Sequence, residues 1–361
     1  MKFKKSYIII SLIILIILSG CSNTKIVDKS QSGPTKTIID SIGREVCVPD
    51  EPKRVACLYT NTGHFITMLD HGDTIVAVSN GLKRDKLLHK IVPSIAEATL
   101  VKVSGDINIE ALLNEKVDLI FIPKDMYENK EQINKLEKYN IPIVVTEFTS
   151  IKEHQENVRM LGEIFNNSEE AKRYIDFYND MIEEVSTKID QIPIEERIRI
   201  YHSINEATNT VAKNTLPAEW MAIAGGIDVS LEGELDKDGD KYYTSLEDIL
   251  YYNPEMILCN EDGVDEYIRQ GQAWQEIDAV KNNKVYLLPN GISRWGHTTS
   301  IETPLAIGWT AKKLYPTRLE ELDIRKATLN FYKDLFEYDL SDEELNQLMS
   351  GKSMRLTKEL K

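Results

Sequence analysis

Between Ser150 and about Asp190, apolar residues fall at Val158, Leu161, Ile164, Phe165, Ala171, Tyr174, Ile175, Tyr178, Met181, Ile182, Val185 and Ile189. This three-then-four spacing puts them on one face of a helix, and no other stretch of the chain is so plainly helical. Ser150 with Glu153 reads as a capping box, and Asn166-Asn167-Ser168 then breaks the pattern and offers a fresh N-cap. The stretch predicts a short helix followed by a long one from Ser168, roughly 33 Å in length. A helix of that length, with a strand-and-helix region of similar size on either side, predicts a connecting strut.

Both flanks alternate strands with helices, which implies parallel sheets covered by helices. On the N-terminal side a hairpin over residues 37–48 precedes strands at 54–58, 74–78, 118–122 and 143–145, with helices near 65–69, 109–113 and 130–139. On the C-terminal side strands are expected at 199–201, 256–259 and 285–288, and helices near 218–224, 246–251 and 301–314; from Arg318 the tail is amphipathic helix. The flanks also resemble each other: residues 108–120 align without gaps on 245–257. In each, a capping residue (Asn108, Ser245) is followed two places on by Glu (Glu110, Glu247), and eight residues later by an acid that opens a strand (Asp118, Glu255). The expected fold is α/β, two Rossmann-like αβ lobes joined by one long helix, with ligand bound between them outside the carboxyl ends of the strands.

At 361 residues, 42% hydrophobic and 28% charged, the chain is long enough for two cores. Lys2, Lys4 and Lys5 precede an apolar run over residues 7–18, and Leu18-Ser19-Gly20-Cys21 follows. A basic start, a short apolar core and small residues before a cut make an export signal. The polar residues 22–36 read as a flexible tether. The expected division is a signal over 1–20, a tether over 21–36, an N-terminal lobe over 37–165, a linking helix over 166–192, and a C-terminal lobe with terminal helices over 193–361. Losing the three leader lysines takes the formal charge from −15 to −18, which argues against nucleic acid or anionic lipid as a partner. Cys47, Cys57 and Cys259 have no metal-ligand spacing, and the last two sit in strand-like runs as buried small hydrophobes.

The hairpin 37–49 with Pro52-Lys53-Arg54-Val55, the stretch from Glu110 to Asp118, Glu247 with Asn253-Pro254-Glu255, residues 221–229 and the Leu314-Tyr315-Pro316 ending together resemble one family. It is the substrate-binding lipoproteins of ABC importers for ferric siderophores, haem and cobalamin. The Leu-Ser-Gly-Cys run resembles the lipobox of such lipoproteins, which implies cleavage before Cys21 and a lipid on its thiol. The protein would then sit outside the cytoplasm, on the outer face of the cell membrane. The resemblance further implies a permease dimer with its ATPase as partner, no resident cofactor and no catalysis. Glu110 and Glu247 match the exposed glutamates that dock such proteins, one from each lobe, onto permease arginines. A glutamate in a first helical turn also complements the macrodipole without any partner.

Loops after the strands should line the cleft, and the candidate ligand residues are Tyr59, Thr60, Asn61, Lys83, Lys124, Trp220, Asn260, Arg294 and Trp295. Arg294 could pair with an anionic chelate and Trp295 could cover its apolar face; otherwise Trp295 is core and Arg294 an ordinary surface charge. That pairing puts a small-molecule metal chelate first, a ferric siderophore ahead of a corrinoid, haem or an oxyanion such as molybdate. An oxyanion would want main-chain N–H donors and little aromatic cover. Asp236, Asp238, Asp240 and Glu247 occupy EF-hand positions, but Lys241 stands where the loop needs glycine. The six histidines form no His-x-x-x-His pair, so a metal cage built around His297 and Glu302 is not expected. A chelatase-like enzyme has similar lobes, yet the chain holds no phosphate loop and no GxSxG elbow. A lipoprotein adhesin or sensor would use the same cleft.

Overall fold

The computed structural model describes residues 33–103 and 106–356, so the expected export signal and the expected lipidation site, Cys21, lie outside the described residues. Gly43, at φ 79°, turns the chain between Thr35–Ile39 (β1) and Glu45–Pro49 (β2), an antiparallel pair that begins two residues earlier than the sequence suggests. Asp40 fixes this hairpin to its lobe. Its buried carboxylate accepts from the Arg44 guanidinium and, at 3.2 Å, from the Val145 amide.

Val55–Cys57 (β3), Ile75–Ser79 (β4), Thr99–Val103 (β5), Asp106–Ile107 (β6), Leu119–Ile122 (β7) and Ile143–Val145 (β8) form one sheet in the order β6-β5-β4-β3-β7-β8. All neighbours are parallel except β5 with β6. β3 and β7 are buried throughout, as their unbroken apolar runs require. Strand β5 escaped the sequence reading because Thr99 and Lys102 interrupt its apolar run. Helix α1 (Thr60–Met68) follows β3, and α2 (Ile109–Asn114) precedes β7.

The helical middle forms as its periodicity dictates: α3 (Ile151–Ile164) and the 22-residue α4 (Ser168–Ile189). Ser150 caps α3 by accepting the Glu153 amide, whereas Glu153 reaches back to Thr149. Asn166, at φ 57°, ends α3; Asn167 is the N-cap of α4 and Ser168 its first residue, where the sequence places the start of the long helix. The Asn167 side chain is turned away, donating to the Leu69 carbonyl at 2.8 Å.

Arg199–Ser203 (β9), Asn209–Thr210 (β10), Ile227–Asp228 (β11), Asp236–Asp238 (β12), Lys241–Tyr243 (β13), Met256–Cys259 (β14) and Val285–Leu287 (β15) follow. Four of them make a parallel sheet in the order β11-β9-β14-β15, and the other three a small sheet in the order β10-β13-β12. Helix α5 (Leu216–Ile223) follows β10, α6 (Leu246–Tyr252) precedes β14, and α7 (Thr303–Leu314), α8 (Ile324–Phe336) and α9 (Asp342–Met349) close the chain. The acidic run that mimics a calcium loop is the β12–β13 hairpin, turned by Gly239 at φ 61°. Among the described residues no three His, Cys, Asp or Glu side chains stand together to hold a metal ion. Cys57 and Cys259 are buried in β3 and β14, Cys47 is exposed in β2, and none of the three is paired.

One apolar cluster runs from Phe65 and Val158 through Tyr174, Tyr178 and Met181 to Trp295, Leu305 and Phe331, while two smaller clusters each serve one sheet. Helix α4 is thus embedded in a core common to both lobes. Its buried face packs against α3 and α7, and Gly308 of α7 lies against Met181.

Candidate functional site

The internal likeness of the two flanks is a likeness of structure. Asn108 and Ser245 cap α2 and α6 by accepting the amides of Ala111 and Asp248, each at 3.0 Å. Glu110 and Glu247 are the second residues of these helices and both are exposed. An arginine ties each helix to the first strand of its lobe in the same way. The Arg54 amide donates to Asp118 at 3.1 Å and its guanidinium to the Glu115 carbonyl; the Arg199 amide donates to Glu255 at 2.9 Å and its guanidinium to the Tyr252 carbonyl. Each glutamate therefore stands on a helix clamped at its carboxyl end to the strand behind it.

The loops after the strands form the facing walls. After β3, Tyr59 is the N-cap of α1 and supplies no side-chain cap. No hydrogen bond to the amides of Thr60, Asn61 or Thr62 is found among the described residues. The first turn of α1 thus keeps free donors and the positive end of its dipole. Asn61 is 1% exposed and its Nδ2 has no partner, while Thr60 meets Ser79 at 3.1 Å and Thr62 meets Thr146 at 2.7 Å. Lys102, from the unforeseen β5, brings its ammonium 3.5 Å from the Leu58 carbonyl, and burial lowers its pKa. On the same wall, burial raises the Tyr59 pKa, with Glu147, Asp125 and Asp240 adding to the effect. Asp240 belongs to the β12–β13 hairpin, so a charge from the other lobe is felt at Tyr59.

On the opposite wall, the loop after β15 is held from behind by a buried lattice. Glu302 accepts from the Ser293 amide and hydroxyl, each at 2.8 Å, and from the Tyr332 hydroxyl. Trp220 donates to the Gly296 carbonyl at 3.0 Å; Asn260 donates to the Trp295 carbonyl at 2.6 Å and meets His202 at 2.6 Å. Arg294 is what this frame presents. Its Nη1 donates to Asn205 at 3.0 Å and Glu261 at 2.5 Å, with 16% of its side chain exposed. His297 is kept neutral, its pKa pushed well down by burial and then by Arg294, Arg355 and His202.

Several expected ligand residues have other work. Trp295 and Trp220 are 0% exposed core side chains that offer no surface to a ligand in this structure. Asn260 is consumed by the loop lattice, and Lys83 donates to the Ala96 and Ala98 carbonyls at 2.6 and 2.7 Å. Lys124 is half-exposed and lies 3.9 Å from Glu128. Tyr59, Thr60, Asn61 and Arg294 remain at the carboxyl ends of the strands. Sequence reading missed Lys102, hidden in an unrecognised strand, and Arg355, which no local pattern marks. The last described segment, residues 351–356, leaves α9 and reaches the N-terminal lobe, where Leu356 donates to the Arg84 carbonyl at 2.8 Å and Lys86 to the Met354 carbonyl at 3.2 Å.

Two αβ lobes on a shared helical core, with strand-end loops on each, have the build of a solute-binding protein of the two-lobed class. The sequence profile of the periplasmic binding protein family matches residues 55–291, and the chain belongs to that family. It is 25% identical over 352 residues to the molybdate-binding protein MolA of Haemophilus influenzae, spanning 90% of this chain and 96% of that protein. The crystal structure of MolA bound to molybdate superposes with a TM-score of 0.75 at 23% identity, over 85% of this chain and 99% of the other. A periplasmic solute binding protein from Veillonella parvula superposes equally well, at 0.75 and 23% identity over 88% and 97%. The protein is the substrate-binding component of an ABC importer, working outside the cytoplasm, and it is not an enzyme; its homologues work with a permease and an ATPase. Among the described residues no helix is long and apolar enough to cross a membrane.

Proposed function

We propose that the cargo is a compact oxyanion of the molybdate class, held between the first turn of α1 and Arg294, and that Glu110 and Glu247 dock the loaded protein on the permease. The observation that carries the cargo reading is the open amino end of α1, with the unpartnered amide of buried Asn61 in its first turn. Main-chain donors suit an oxyanion, and neither Trp220 nor Trp295, which lie in the core, offers the aromatic cover that a siderophore or tetrapyrrole would want. The relation to a molybdate-binding protein supports the same choice. Anchoring through a lipid on Cys21 and the division into lobes at 37–165 and 193–361 belong to this reading. A second reading has one observation in its favour: the negative charges of Glu147, Asp125 and Asp240 all act at Tyr59, which suits a cationic chelate.

Titration calorimetry of the purified chain with molybdate, tungstate, sulfate, a ferric siderophore, haem and a Ni(II)–histidine complex separates these readings. Saturable binding of molybdate or tungstate alone supports the oxyanion. Binding of the nickel complex or a tetrapyrrole without the oxyanions sinks it.

A further inference from the structure

The segment after α9 is built as a strap. Gly351, at φ 76°, turns the chain out of the helix with its amide on the Leu348 carbonyl at 3.1 Å. The Ser353 amide then donates to Asp262, in the loop after β14, at 3.3 Å, and Met354 is buried to 4% exposure. Arg355 forms an antiparallel bridge with Asp85, and the Arg84 guanidinium returns to the Leu356 carbonyl at 2.7 Å. Residues 353 to 356 thus touch the strand-end loops of both lobes, at the mouth where Arg294 stands.

Arg355 stands across the bridge from buried Asp85, whose sequence neighbours are Arg84 and Lys86. The field of Arg355 acts on both Arg294 and His297. Among the described residues no carboxylate lies within ion-pair distance of Arg355, and Arg294 has one, Glu261, whose side chain is 48% exposed. Arg294 thus has a half-solvated counter-ion and Arg355, among the described residues, has none within ion-pair distance; the two guanidinium groups repel each other, and an anion between them removes that repulsion.

We infer that Arg355, delivered by the C-terminal strap, is a second cationic arm of the ligand site, acting with Arg294 on the anion. The inference rests on the oxyanion reading and adds to it a residue from a segment outside both lobe sheets. Glu261 holds Arg294 in the empty site, and the incoming anion takes its place on the guanidinium.

The test measures molybdate binding to the purified full chain by calorimetry at low and high salt, for wild type, R355Q, R355K and K352Q. Lys352 is an exposed residue of the same strap and serves as control. R355Q is expected to weaken binding at least tenfold and to flatten its dependence on ionic strength. R355K should recover most of the loss and K352Q should match wild type, with melting temperatures unchanged throughout. If R355Q binds like wild type while R294Q loses binding, Arg355 is no ligand arm. If R355K fails to recover binding, the arginine holds the strap and not the anion. If wild type binds no oxyanion but takes another cargo, the oxyanion reading itself fails and carries this inference with it.

Discussion

Arg294 and its neighbours show how a residue's role depends on what faces it. Arg294 and Trp295 are adjacent in sequence, yet one meets the cleft loops and the other is sealed in the core. Trp295→Ala should therefore cost about 3–5 kcal/mol of stability, seen as a drop in melting temperature, before it is seen in affinity. Glu261→Gln should act in the opposite sense, tightening oxyanion binding by a factor of a few because it removes the carboxylate that competes for Arg294. Glu302 offers a pH test. Its burial pushes the carboxyl from 4.5 up to about 7, against the bonds from Tyr332 and Ser293. Between those values the folded protein keeps a proton that the unfolded chain has released, so this stabilisation is full below pH 4.5 and is lost as pH rises to about 7. Asp228, also raised to about 7 by burial, acts in the same direction. His154 and His202, lowered by burial to about 3 and about 4, act oppositely up to their unfolded value of 6.5. Glu302→Gln isolates the one group: denaturant melts should give equal stability for variant and wild type near pH 4. By pH 8 the variant should be the more stable, by on the order of 3 kcal/mol.

At the scale of elements, the matched helices α2 and α6 carry the argument for docking. In the proposed docking, two glutamates on separate lobes, each on a helix clamped by an arginine, present a permease with two fixed charges whose spacing follows the lobes. Charge reversal at both Glu110 and Glu247 should abolish uptake by cells while leaving the calorimetric affinity for cargo nearly unchanged. Uptake that survives the double reversal removes the docking assignment. The junction of α3 and α4 depends on Gly162, where a Cβ would stand 2.8 Å from Ala171 Cβ and 3.3 Å from the Asn167 carbonyl oxygen. Neither neighbour is a flexible tip, so Gly162→Ala should destabilise by about 1–3 kcal/mol in an unfolding titration. Both features were legible in the sequence, because capping residues and apolar periodicity are local. What the Asn167 side chain does was not: it leaves the helix end uncapped and donates to Leu69, a tertiary partner.

For the whole molecule, helix α4, the strap and the ion pair of Lys90 with Glu344, at 2.6 Å, all join regions that a free hinge would let swing. A core continuous through both lobes resists wide opening, because separating them would expose buried apolar surface. Small-angle scattering with and without cargo should show the radius of gyration changing by no more than about 1 Å, the mark of a small hinge movement.

Local chemistry determined most of the architecture. The periodicity of 150–190 required α3 and α4, the alternation around them required parallel sheets, and the repeat of 108–120 in 245–257 required two lobes with a glutamate displayed on each. What a side chain can do to a ligand was decided in three dimensions. Trp220 and Trp295 read as cleft aromatics until packing buried them, and Asn260 and Lys83 read as ligand groups until distant carbonyls took their donors. Lys102 and Arg355 were silent because their places come from a sheet register and from a bridge between residues 85 and 355. Helices and strands follow from neighbours along the chain; a binding wall is assembled from residues whose proximity only the completed core creates.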